Sequence, residues 1–184
     1  PQYINDLLKV FKTFFRYCVE EEYLKTSPAA KVKNVRQPKV LIRTFNEEEV
    51  LKMLNFHSGH DFISMRNKAM LALFFDTGMR LTEVMTMKDE QIRDGHVVVW
   101  GKGSKERVIY LNDACQAALT DYLITRMSQK YAHVTTKAVF LSRLDQRMSV
   151  KTVQAMVYKY LKLAGLESKH YSVHKLRHTA ATLM

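Results

Sequence analysis

Four basic side chains sit in settings suited to holding an anion. His174 and Arg177 stand three residues apart in SVHKLRHTAATLM, residues 172–184. Ser172 is a candidate N-cap. That places His174 in the first turn of a helix, where free backbone N–H groups and the helix dipole favour negative charge. Arg177 falls one turn on and on the same side, so the pair can grip oxygens of one phosphate, the arginine by its planar fork. Arg80, in TGMRLTE, follows a glycine suited to ending one helix and precedes another. Glu83, three residues on, can pair with it or orient it. Lys102, in GKGSKER, lies between two glycines, where backbone can approach a phosphate closely and a lysine can reach into a groove. Each residue alone also fits an ordinary surface: an i,i+3 ion pair, a solvated turn lysine. His170, His174 and His178 repeat every fourth residue, but His170 precedes the expected helix start and nothing nearby completes a ligand set, so no metal is expected.

The elements that must position these groups follow from periodicity. Residues 3–24 carry Ile4, Leu7, Leu8, Phe11, Phe14, Phe15, Cys18 and Val19, the stripe of an amphipathic helix that needs partners to bury it. The helix should end before Ser27-Pro28. KVKNVRQPKVLIR, residues 31–43, is basic, has no acidic residue and contains Pro38, so it reads as an extended positive linker. A second unit begins at Phe45-Asn46-Glu47-Glu48-Glu49-Val50, with Asn46 and Glu49 spaced as a capping box and Phe45 and Val50 as a hydrophobic staple. NKAMLALFFDTG, 67–78, predicts a buried helix ended by Gly78 in the left-handed region, and 81–87 a short helix. The β-branched and aromatic runs 96–100 and 107–111 flank GKGSKE and predict a hairpin with a lysine-rich tip. Helical patterns resume at 113–129, 149–164 and 173–184, with the apolar piece Val139-Phe140-Leu141 between. The fold class is mostly α with a small antiparallel β-hairpin or sheet, an α+β arrangement.

Bulk properties narrow the partner. Lys and Arg total 29 against 18 Asp and Glu, a net charge of +11, which points to a polyanion and first to nucleic acid. Hydrophobic residues at 47% predict a packed core. Cys18 and Cys115 read as buried thiols of a reducing compartment, not a disulfide framework. No apolar run reaches transmembrane length and the N-terminus does not read as a signal peptide, so a cytoplasmic location is expected.

The order and spacing of the motifs say more than any one of them. TG-x-R-x-x-E after a buried helix, then GKG-x-K-x-R in a hairpin, then H-x-L-R-H-T-A-A-T-x-L together resemble the tyrosine recombinase (phage integrase) family. The resemblance implies a tyrosine recombinase catalytic-domain fold at 45–184, preceded by a basic linker at 36–44. Residues 1–35 would be the C-terminal part of a helical core-binding domain. It implies a bacterial, site-specific enzyme that cuts and rejoins double-stranded DNA through a 3′-phosphotyrosyl intermediate, within a tetrameric synapse and without metal or any other cofactor. Arg80 matches the first catalytic arginine, Lys102 the hairpin lysine, His174 the first active-site histidine and Arg177 the second arginine. Glu83 matches the acidic position that orients the arginine, and His178 a packing and hydrogen-bonding histidine. Lys31, Lys33, Arg36, Lys39, Arg43, Lys105 and Arg107 are the expected DNA contacts.

These residue types suit phosphoryl transfer, which is largely positioning and charge stabilisation. Two arginines can neutralise the equatorial oxygens. Lys102 can protonate the leaving 5′-hydroxyl, its pKa lowered by surrounding cations. The family's nucleophilic tyrosine follows the H-x-x-R motif by some tens of residues, whereas all nine tyrosines here precede His174. Tyr171 is nearest and reads as a packing residue or a DNA contact. The expectation is a trimmed chain, inactive by itself; a natural truncated relative and a tyrosine donated in trans are the alternatives. A non-catalytic DNA-binding regulator, a type IB topoisomerase-like enzyme and a basic helical scaffold are the competing functions.

Overall fold

A computed structural model describes residues 1–38, 43–56, 59–100, 106–128 and 136–183. The chain divides into two compact units, Pro1–Ile42 and Arg43–Met184. Among the described residues no helix is long and apolar enough to cross a membrane.

The first unit is built on α1 (Gln2–Glu20). The helix is shorter than the 3–24 expected from its apolar stripe. Glu20, Glu21 and Glu22 crowd its C-terminal end with charge of the wrong sign for the helix dipole, and Glu22 turns left-handed at φ 58°. Residues 32–38 have no regular structure, as expected of an extended basic segment. They are not a free tether, because the Asn5 amide pairs with both backbone groups of Val35: Nδ2 donates to the carbonyl oxygen at 2.9 Å, and Oδ1 accepts from the N–H at 2.8 Å. Cys18 and Ala29 are buried, while Val10, Phe11, Phe14 and Tyr17 stay exposed.

The second unit opens with α2 (Glu47–Asn55), capped as its sequence predicts. Asn46 Oδ1 accepts from the Glu49 N–H at 2.9 Å, and Glu49 Oε2 from the Asn46 N–H at 3.1 Å. Helix α3 (Phe62–Thr77) starts five residues before the apolar run at 67, because Asp61 Oδ1 accepts from the N–H groups of Ile63 and Ser64. It is the central element: Ala69, Met70, Leu71, Leu73 and Phe74 are fully buried, and it packs chiefly on α5 (Asp113–Arg126) and α7 (Val173–Leu183). Gly78 ends it at φ 56°, ψ 25°, the left-handed cap the sequence implies. A short α4 (Leu81–Thr86) follows.

A three-stranded antiparallel sheet comes next, in the order β1-β2-β3: β1 (Ile92–Arg93), β2 (His96–Trp100) and β3 (Glu106–Tyr110). Strand β1 is an addition to the expected hairpin; two residues carry too little period-2 signal to read. The β2–β3 register runs from His96 opposite Tyr110 to Trp100 opposite Glu106. Val139-Phe140-Leu141 is a buried connector. Tyr122 Oη donates to the Val139 carbonyl at 2.9 Å and accepts from the Leu141 N–H at 3.2 Å. Helix α6 (Val150–Leu163), capped by Ser149, and α7 complete the unit. Cys18 and Cys115 are free and buried, and burial pushes the Cys115 thiol up.

Candidate functional site

Helix α7 buries Val173, Leu176, Thr179 and Ala180 on one face. That spacing leaves His174 and His178 on the solvent side, with Arg177 half-buried between the two faces. His178, expected to pack, is thus exposed, because its neighbours Thr179 and Ala180 take the inward positions.

Arg177 is held from below. Its Nη1 donates to the carbonyl oxygen of Gly78 at 2.5 Å. The glycine is needed twice at that point. Its φ of 56° suits no side chain well, and a Cβ there would lie 3.2 Å from the Ala180 Cβ. So α3 ends where α7 crosses it, and the chain emerging from that crossing reaches Arg80 two residues later.

Arg80 opens α4, and Glu83 fixes it from the first turn. Glu83 Oε2 accepts from the Arg80 backbone N–H at 2.7 Å and Oε1 from Arg80 Nη1 at 2.9 Å. The Arg80 side chain is 56% exposed, the carboxylate of Glu83 only 9%. Two further bonds reach the same carboxylate from β3: Arg107 Nη1 to Oε1 at 3.1 Å and Nη2 to Oε2 at 2.8 Å. Burial alone would push the Glu83 carboxyl up; hydrogen bonds from Arg107 and Arg80 outweigh it and hold the group below the ordinary carboxylate value.

The guanidinium of Arg107, an expected DNA contact, is turned onto Glu83. The strand period carries the signal. Arg107 lies opposite Val99, which is buried, and cross-strand partners share a face of the sheet. A charge on that inner face requires a partner.

A second cluster ties the entry of this unit to α7, and no local pattern of residues announces it. The Phe45 N–H donates to Thr179 Oγ1 at 3.0 Å, and the Phe45 ring lies 4.1 Å from that of Tyr171. Tyr171 Oη donates to the Thr44 carbonyl at 3.0 Å and approaches Glu49 Oε2 at 3.3 Å. Tyr171 is therefore a packing residue, 7% exposed. Glu49 also receives Lys169 Nζ. Here too burial would raise the carboxyl, and the bonds from Lys169 and the Asn46 backbone bring it below its ordinary value.

Arg80, Glu83, His174 and Arg177 thus lie on two elements joined through Gly78. Lys31, Lys33, Arg36 and Arg43 are exposed. Lys39, Lys102 and Lys105 lie outside the described residues.

Known proteins match this chain in sequence and fold. The model of the phage integrase family matches residues 43–184. A tyrosine recombinase XerC of Caldanaerobacter subterraneus subsp. tengcongensis is 41% identical over 178 residues, which is 94% of this chain and 48% of that protein. The crystal structure of XerA recombinase superposes with a TM-score of 0.69 at 22% identity, over 96% of this chain and 60% of that one. XerH site-specific recombinase, bound to its difH substrate in a pre-cleavage complex, superposes with a TM-score of 0.66 at 25% identity, over 79% and 43%. This chain spans about half the length of the XerC relative. With the family model covering everything from Arg43 onward, the chain belongs to the phage integrase family.

Proposed function

We propose that this sequence serves a site-specific DNA recombinase that cuts and rejoins duplex DNA through a 3′-phosphotyrosyl intermediate. Arg80 and Arg177 bind the scissile phosphodiester and offset the charge that builds on its equatorial oxygens. His174 adds a hydrogen bond or moves a proton at the same phosphate. Lys102 is the acid that protonates the departing 5′-oxygen, Glu83 holds Arg80, and His178 supports the site from the solvent face of α7. The nucleophile is a tyrosine outside the described site. Tyr171 is unsuited to the role, since its hydroxyl is already hydrogen-bonded and shielded from solvent.

Residues 1–35 act as the end of a core-binding domain and 36–44 as a basic connection, with Lys31, Lys33, Arg36, Lys39, Arg43 and Lys105 on DNA phosphates. The partner is double-stranded DNA, within a tetrameric synapse. The cytoplasm is the matching location. The observation that carries this reading is the Arg177–Gly78 hydrogen bond, which sets the H-x-x-R helix against the turn bearing Arg80. It supports a mechanism in which two permanent cations and a histidine serve one phosphate.

The test is a suicide duplex whose cleaved strand cannot religate, presented to a complete recombinase carrying this sequence. A covalent protein–DNA adduct on the 3′ side of the break is expected. Adduct formation with chemistry on the 5′ phosphate, or duplex binding with no cleavage at any site tried, would overturn it.

A further inference from the structure

Two arginines share one carboxylate at the turn into α4. A carboxylate offers about four lone-pair sites, and all four of Glu83 are in use. The Arg80 backbone takes one and the Arg80 side chain a second. Arg107 takes the other two as a fork, one nitrogen to each oxygen. Among the described residues, nothing else meets the guanidinium of Arg80, which is the more exposed of the two arginines at 56% against 37%.

The division is unequal in a useful way. A bidentate arginine–carboxylate pair is stronger than a single hydrogen bond. With Arg107 absent, Glu83 and Arg80 would be free to close into such a fork themselves. That would withdraw a second N–H from the solvent side and leave the pair electrically neutral. With Arg107 present, the trio keeps one net positive charge, carried on the exposed arginine.

We infer that Arg107 is a positioning residue for Arg80: by occupying Glu83 as a fork, it holds Arg80 to a single side-chain bond and leaves its remaining N–H groups for the phosphodiester. The inference rests on the role proposed for Arg80. It assigns Arg107 away from the DNA backbone and into the support of the site. Its place in the sheet supports it, since Arg107 lies opposite the buried Val99 and its side chain is less exposed than that of Arg80. Among the described residues no hydrogen bond or ion pair joins Lys88 or Glu90 to Glu83; they pair with each other at 3.6 Å.

The test is a double-mutant cycle in a complete recombinase carrying this sequence, reading single-turnover cleavage and duplex affinity for Arg107→Gln, Arg80→Gln and both together. Arg107→Gln should slow cleavage on the order of tenfold, the scale of a mispositioned phosphate ligand, and leave affinity within about twofold. In the Arg80→Gln background it should add almost nothing. Additive losses, an affinity loss as large as the cleavage loss, or cleavage near the wild-type rate would each overturn the inference. A readout that does not depend on recombination is the carboxyl titration of Glu83 by carbon NMR. Its midpoint should rise in Arg107→Gln, and an unmoved midpoint overturns the inference whether or not the wild type cuts DNA. If the wild type fails to cut while the midpoint rises, the recombinase reading falls and the Glu83–Arg107 coupling stands.

Discussion

Arg177 and Gly78 lie 99 residues apart in sequence, and a 2.5 Å hydrogen bond from the guanidinium to the glycine carbonyl joins the last helix to the end of the central one. The carbonyl is available because a helix leaves its last acceptors unpaired. The close crossing is possible because Gly78 has no side chain to meet Ala180. One backbone atom therefore sets the position of an arginine that the neighbouring turn must match.

Gly78→Ala should destabilise the second unit by about 1–2 kcal/mol, from a left-handed residue that now carries a Cβ plus the tight approach to Ala180. Urea denaturation checks it. Equal stability would show that α7 can shift away freely, and with it Arg177.

Arg177→Ala in a complete recombinase should abolish measurable cleavage, a loss of roughly 10³-fold or more, while duplex binding stays within a few-fold. Arg177→Lys should recover little, since one ammonium cannot serve the Gly78 carbonyl and a phosphate in the fork geometry of an arginine. Suicide-duplex cleavage beside a gel shift separates the two effects, and cleavage near the wild-type rate in either variant would remove Arg177 from the phosphate site.

How much of this is readable from sequence follows the range of the forces involved. Local signals are legible: the Asn46–Glu49 capping box, the left-handed Gly78, the hairpin and the buried character of α3 all depend on residues a few positions apart. Arg80 with Glu83 is legible for the same reason. What escapes depends on register or on distant partners. Arg107 turns onto Glu83 because of its alternation within β3, and Tyr171 and Thr179 hold Thr44 and Phe45 across more than a hundred residues. The end of α1 falls short of residue 24 because the apolar stripe stops at Val19 and three glutamates that oppose the dipole follow it.

Tyr171→Phe should leave cleavage by a complete recombinase within about twofold and lower stability by about 1 kcal/mol, the net worth of the hydroxyl's bond to Thr44. Thermal melting with parallel cleavage assays checks both parts. Loss of cleavage with unchanged stability would mean that this hydroxyl takes part in the chemistry.

Glu49 and Glu83 contribute to the acid sensitivity of the second unit. Both carboxyls sit below their ordinary value of 4.5 in the folded protein. A depressed folded pKa contributes stability that is complete above the unfolded value and is lost as pH falls through the folded one. Melting temperature should therefore hold steady above the unfolded value and drop as pH falls below it. Glu49→Gln can keep the bond from the Asn46 N–H while removing the charge opposite Lys169. It should cost about 1–2 kcal/mol at neutral pH, and flatten part of the acid-side fall. An acid limb identical to wild type would show that the Lys169–Glu49 pair contributes nothing.

The basic segment should act through charge alone. Lys31, Lys33 and Arg36 are exposed and lie on a stretch pinned to α1 at Val35, so their spacing is set by structure and not by a loose tether. Replacing all three by alanine should weaken duplex binding at low salt to a similar degree for any sequence. It should also reduce the slope of log affinity against log salt by up to about three, near one for each phosphate no longer neutralised. Fluorescence anisotropy on specific and unrelated duplexes across a salt series measures both quantities. Asn5→Ala supplies the structural arm. It frees Val35 without altering any charge, so it should weaken binding while leaving the salt slope unchanged. A loss confined to one target sequence would instead place these residues on base edges, and an unchanged slope in the triple variant would take them off the DNA altogether.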